Sequence, residues 1–149
     1  MMYKHVLVAT DGSDVGQKGV DHGVDLARQL GAQVTVLTVT EPYPLYAGDA
    51  FGMVPSDTMM TNHGAAQDET ANAILAAARE SAKAAGVQAE LVHVADAQPA
   101  EAILHAAQSR NCDLIVMGSH GRRGVGRLLL GSKAWEVVAH GHVPVLVVR

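Results

Sequence analysis

The sequence predicts an α/β fold, a three-layer arrangement with an open parallel five-stranded sheet between helices, and three observations carry that reading. Five short runs rich in β-branched apolar residues read as strands, and the stretches between them carry apolar residues at helical spacing. The two kinds alternate as β-α-β-α-β-α-β-α-β, which calls for parallel strands joined by right-handed crossovers, with helices on both faces. The length of 149 residues fits one domain, and a hydrophobic content of 48% suffices for a substantial core.

The first strand is His5–Thr10 (HVLVAT), almost continuously apolar, as expected for a strand covered on both faces. A helix follows in which Val20, Gly23 or Val24, Ala27 and Leu30 share one face, with Ser13 or Asp14 as N-cap and Gly31 as the stop. Gln33–Thr40 (QVTVLTVT) is the second strand and partly alternates. The connection Glu41–Ser56 is long and holds three of the five prolines together with Tyr43, Tyr46 and Phe51. Connections of this length usually serve function, and with Met53, Met59 and Met60 beside it this one is expected to be a lid or a protein-partner loop.

An alanine-rich helix is expected over 57–85, with Ala71, Ile74 or Leu75, Ala78, Ala82 and Ala85 in one stripe that Gly86 ends. Val87–Val94 (VQAELVHV) is the third strand. Pro99 opens a third helix with Ile103 or Leu104 and Ala107 inward. Leu114–Gly118 (LIVMG) is the fourth strand, Ser132 to about His140 a last helix carrying Trp135, Val138 and Ala139 toward the sheet, and Pro144–Val148 (PVLVV) the fifth strand.

Composition excludes several functions. A formal charge of −4 and a pI near 6.0 argue against a general nucleic-acid binder, which needs a basic surface. One cysteine, Cys112, allows neither an internal disulfide nor a cysteine zinc site, and it reads as a small buried hydrophobe before the fourth strand. The opening MMYKHVLVATDGS meets Asp11 too soon for a signal peptide, and no run reaches the ~18 apolar residues of a membrane span, so a cytoplasmic location without membrane contact is expected. The eight histidines are scattered, and His140-x-His142 lacks the spacing of a helical metal pair, so no metal site built from protein ligands alone is expected.

In an open parallel sheet, ligands bind outside the carboxyl ends of the strands where the strand order reverses. Three polar features fall there: Thr10-Asp11-Gly12-Ser13, Val39-Thr40, and Gly118-Ser119-His120-Gly121. The last begins 117-MGSHGRRGVGRLLLGSK-133, which holds five glycines and four cationic side chains without a carboxylate. Glycine lets backbone N–H groups approach phosphate oxygens, and Gly131-Ser132 opens a helix whose N-terminal dipole favours an anion. Both ends of the loop are therefore placed to grip one polyphosphate. The alternative is a plain glycine-rich surface loop. Gly126 and Gly131 have the spacing of a Walker A motif, but Ser132-Lys133 stand in the reverse order, and neither Walker motif is intact.

The spacing Gly118-x2-Gly121-x9-Gly131-Ser132 resembles the G-x2-G-x9-G-[S/T] signature of the nucleotide-binding branch of the universal stress protein family. The opening strand 5-HVLVATDGSD-14 and the closing 143-VPVLVVR-149 resemble that family's first and last strands. The resemblance implies strand order 3-2-1-4-5, with Asp11 and Gly118 facing one another at the switch point. It also implies an adenine nucleotide, ATP or else ADP or AMP, carried with Mg2+ or Mn2+. By position, Ala9, Thr10 and Asp11 would line the adenosine side, with Asp11 near ribose or the phosphate-bound metal, and Val39 would meet adenine through its backbone. Gly118, His120, Gly121, Gly131 and Ser132 would hold ribose and phosphates, with Met117 also among the cofactor-binding residues. Lys133 departs from the small or branched residue common in relatives. It either pairs with a terminal phosphate or is solvated, and Arg122, Arg123 and Arg127 pose the same choice.

No activated nucleophile is visible, so the expected function is an ATP-binding stress-response protein acting as a nucleotide-dependent switch. A slow metal-dependent ATPase or nucleotidyl-transfer enzyme in the same pocket is the alternative, with Asp11 placing the metal. A phospho-receiver layout with Asp96 as acceptor is a third. A homodimer through antiparallel pairing of strand five, Val143–Arg149, is expected, since Val145, Leu146, Val147 and Val148 would form an apolar sheet edge.

Overall fold

The computed structural model describes residues 3–43, 56–120 and 130–149. The expectations that fall on Tyr46, Phe51, Met53, Gly121, Arg122, Arg123 and Arg127 lie outside the described residues.

The elements run β1 (His5–Ala9), α1 (Asp14–Leu30), β2 (Gln33–Val39), α2 (Asp57–Ala84), β3 (Ala89–Val94), α3 (Pro99–Ser109), β4 (Leu114–Gly118), α4 (Ser132–His140) and β5 (Val145–Val148). All strand pairs are parallel, and the order is β3-β2-β1-β4-β5. The alternation of side chains along a strand divides the core in two. Val6 and Val8 of β1 face α1 and α2 through Val20, Val24, Leu75 and Ala78, whereas Leu7 and Ala9 face α3 and α4 through Ile103, Ala107, Ala134 and Val137. Each fully buried Val or Leu contributes roughly 1.5–3 kcal/mol, and the three central strands supply most of them.

Local signals place the ends of the helices. Ser13 Oγ accepts from the Gly16 N–H at 3.0 Å and so caps α1, and Gly31 stops it in the left-handed conformation. Ser56 caps α2 in the same way through Met59 N–H, and Pro99 opens α3. α2 has 28 residues, about 42 Å at 1.5 Å each, and is much longer than the strands it crosses. Its first buried residue is Ala71, and Met59 and Met60 upstream are exposed.

Three expectations change. Thr10 and Thr40 lie one residue past the ends of their strands, while Val87 and Pro144 lie two residues and one residue before the starts of theirs. In α4 the inward positions are Ala134 and Val137, while Trp135, Val138 and Ala139 face out, with Trp135 57% and Val138 48% exposed. The helix packs beside α3, with Ala134 and Val137 in the same buried cluster as Ile103 and Ala107. The fifth strand is as continuously apolar in sequence as the first, which suggests cover on both faces, but in β5 Leu146 is exposed, although Val148 is buried.

The order also bears on the receiver reading. A receiver sheet runs 2-1-3-4-5 and brings the acceptor strand next to β1. Here β3 is at the edge, separated from β1 by β2, so Asp96 is two strands from Asp11 and cannot complete an acidic cluster with it.

Candidate functional site

The reversal of strand order lies at β1 and β4, which are neighbours in space while β2 and β3 extend to the other side. Ala9 pairs with Met117, so Thr10 and Gly118 follow next to one another at the carboxyl edge. Thr10 continues β1 by one bond, donating its N–H to Leu37 C=O at 3.0 Å. Asp11 then turns the chain into α1: its Oδ1 accepts from Ser13 N–H at 2.9 Å and from Ser13 Oγ at 2.6 Å. The DGS tripeptide is thus first a capping turn, whose geometry holds the Asp11 carboxylate at the strand end.

On the β4 side the chain is fitted closely. A Cβ on Gly118 would come within 2.8 Å of Val15 Cγ1 and 3.0 Å of Val15 C=O, so this glycine lets the first turn of α1 sit on the strand end. Ser119 is fully buried and donates its N–H to Val148 C=O at 2.7 Å, and its hydroxyl is hydrogen-bonded to His120 Nδ1 at 2.9 Å. Gly131 N–H in turn donates to Ser119 C=O at 2.5 Å, and a Cβ on Gly131 would stand 2.9 Å from that oxygen. The start of α4 is therefore pinned against the exit of β4.

That helix start differs from those of α1 and α2. Both of the latter carry a serine cap on a first-turn N–H, whereas α4 begins at Gly131 with no side-chain cap, as α3 does at Gln98, where Pro99 removes the first donor. The first-turn N–H groups and positive dipole end of α4 are available to an anion. This donor set fits a nucleotide phosphate. Among the described residues no group of three or more His, Cys, Asp or Glu is placed to hold a metal ion.

The third side of the site follows β2. Val39 pairs with Val94, and Thr40 donates its N–H to Val94 C=O at 2.9 Å while its hydroxyl meets His93 Nε2 at 2.7 Å. Next comes Glu41, whose Oε1 accepts from Lys133 Nζ at 2.7 Å. Lys133, about half exposed, is thus ion-paired here with a residue across the sheet edge.

The structure thus gathers Ala9, Thr10, Asp11, Met117, Gly118, His120, Gly131 and Ser132 around one strand pair, with Val39 one strand away. Gly121 lies outside the described residues. Ser119 and Glu41 were not singled out from sequence as site residues. Ser119 sits inside the glycine signature and carries no signal of burial, and Glu41 is joined to Lys133 only by the tertiary fold. Two hollows among the described residues, about 620 and 520 Å3, lie at the opposite, amino edge. They are shallow troughs beside the ends of α1 and α2, lined by residues such as Arg28, Gly86 and Gln88, and the convergent backbone donors are not there.

The chain matches the Universal stress protein family over residues 2–149. It belongs to the universal stress protein family. A universal stress protein of Thermus aquaticus, from the QAH/OAS sulfhydrylase 3' region, is 36% identical over 148 residues, covering 99% of this chain and all of the relative. Among solved structures, hypothetical protein MJ0577 superposes with a TM-score of 0.79 at 26% identity, covering 99% of this chain and 96% of that one. A universal stress protein solved in complex with cAMP superposes with a TM-score of 0.74 at 28% identity, covering 100% and 99%. The five-stranded sheet of order 3-2-1-4-5 with four helices is that of these universal stress proteins.

Proposed function

We propose that this universal stress protein binds an adenine nucleotide at the carboxyl edge between β1 and β4, and that occupancy is its output signal in a stress response. The observation that carries the reading is the start of α4, with uncapped first-turn N–H groups pinned by the Gly131–Ser119 bond beside the β4 exit. The cAMP complex of a relative supports the adenine nucleotide as ligand class.

In this reading Ser132 holds phosphate through its N–H group and hydroxyl, and Gly131, whose own N–H is bonded to Ser119 C=O, lets the phosphate approach the helix start closely. Gly118, His120 and Gly121 flank ribose and phosphate, Ala9 and Thr10 line the adenosine side, and Val39 meets adenine through its backbone. Asp11 orients ribose or a metal carried by the phosphates. ATP with Mg2+ or Mn2+ is the proposed physiological form, the chain works as one domain in the cytoplasm, and two copies join through β5. The segment Glu41–Ser56 is proposed as its partner contact.

Isothermal titration with ATP, ADP, AMP and cAMP, with GTP as control, tests the reading. Saturable one-to-one binding of adenine nucleotides is expected. Absence of binding by all four, or equal binding of GTP, contradicts it. A single-turnover incubation with labelled ATP separates switch from enzyme: rapid metal-dependent product formation that is lost in Asp11→Ala would replace the switch by the ATPase.

A further inference from the structure

Lys133 Nζ and Glu41 Oε1 meet at 2.7 Å across 92 positions of sequence. Glu41 is the second residue after β2, Lys133 is the second residue of α4, and β1 stands between β2 and β4 in the sheet. The pair therefore ties together segments on either side of β1, at the edge where Thr10 and Asp11 lie. Glu41 is anchored from α2 as well. Its carbonyl accepts from His63 Nε2 at 3.3 Å, and the Tyr43 ring stands edge-on to His63 at 5.4 Å. Lys133, on a flexible four-carbon stem, is the movable partner.

Lys133 also directly follows Ser132, whose N–H and hydroxyl are the proposed phosphate donors. A phosphate chain seated on those donors brings negative charge within reach of the ammonium and close to the Glu41 carboxylate. Ammonium to phosphate is a strong charge-assisted contact, whereas an exposed carboxylate pair is weak and screened by salt. Exchange of one partner for the other is thus open to a ligand that carries enough charge.

Building on the nucleotide reading, we infer that Glu41 and Lys133 form a strap that sets selectivity by phosphate number. The terminal phosphates of ATP compete with Glu41 for Lys133 and must displace the strap, and the released Glu41 then repels them. AMP carries no terminal phosphates and leaves the strap closed. Lys133 favours the longer chain and Glu41 opposes it, so the pair determines the ratio of ATP to AMP affinity.

Titration of ATP and AMP into the unsubstituted protein, Glu41→Gln and Lys133→Gln tests this. Both side chains are about half exposed, at 47% and 55%, so the fold is expected to survive each change. Glu41→Gln is expected to raise the ATP-to-AMP affinity ratio about two- to fivefold, and Lys133→Gln to lower it by a similar factor, with both effects shrinking at high salt. If AMP binds and neither substitution moves the ratio, the strap is wrong and the nucleotide site stands. If the unsubstituted protein takes up neither nucleotide, both fall.

Discussion

A Cβ placed on Gly23 would come within 2.4 Å of Cγ2 of Val8, so α1 rests on β1 with nothing between them but a hydrogen atom. Val8 is completely buried, and as a β-branched side chain it is stiff at χ1. Gly23→Ala is therefore expected to destabilise by roughly 1–3 kcal/mol through overpacking, against the usual helix preference for alanine. Gly64 in α2 is the control, since nothing stands within 4 Å of its Cβ position. Gly64→Ala is expected to stabilise by about 0.5–1 kcal/mol. Urea denaturation of both variants checks the opposite signs.

Cys112 is buried before β4, and its desolvation pushes the thiol up to about 11. At pH 8 only about one thiol in a thousand is ionised, and the thiolate is the reactive form. A thiol-disulfide reagent such as DTNB is expected to react slowly with the native protein and at the rate of a free thiol in guanidinium. Equal rates in both states would contradict this burial.

Asp113 links the first residues of β1 to the start of β4. Its carboxylate accepts from Lys4 N–H at 2.9 Å and His5 N–H at 3.0 Å. Burial opposes its ionisation, but the bonds from His5 and Lys4 outweigh that and hold the carboxyl below its usual range. A carboxyl depressed on folding stabilises above its unfolded pKa, about 4, and loses that contribution as pH falls through the lower folded value. The Tm gap between the unsubstituted protein and Asp113→Asn is expected to stay level from pH 7 to 5 and to close below pH 4. A gap independent of pH would contradict the assignment.

The edge of β5 carries the assembly proposal. Pro144 and Val148 direct their carbonyls to Ile115 and Ser119 of the β4 chain, so residues of the other parity, Val145 and Val147, turn their backbone groups outward. Val147→Pro therefore removes an outward N–H without breaking the β4 ladder. Light scattering at micromolar concentration is expected to show a dimer for the unsubstituted protein and a monomer for Val147→Pro. A dimer unaffected by the proline would move the interface elsewhere.

What sequence revealed depended on how local the cause was. Gly31, Pro99 and the LIVMG run of β4 mark their own positions, because a left-handed stop, a fixed φ and a buried strand each need only adjacent residues. The Asp11–Ser13 turn is equally local. The facing of α4 is not legible locally, because nine residues offer only two inward positions and size alone favours Trp135 over Ala134. Strand order came from resemblance and not from periodicity, since alternation of elements fixes handedness and leaves order open. The Glu41–Lys133 pair had no signal at all: two common surface residues 92 positions apart meet only once β2 and β4 flank β1.

The location of the nucleotide is tested most directly by amide chemical-shift mapping of the 15N-labelled protein during titration with AMP. The account predicts that the largest shifts fall on Thr10, Asp11, Val39, Gly118, Gly131 and Ser132, at the carboxyl edge of β1 and β4. Shifts centred on Gly31, Gln33, Gly86 and Gln88, around the hollow at the opposite edge, would contradict it.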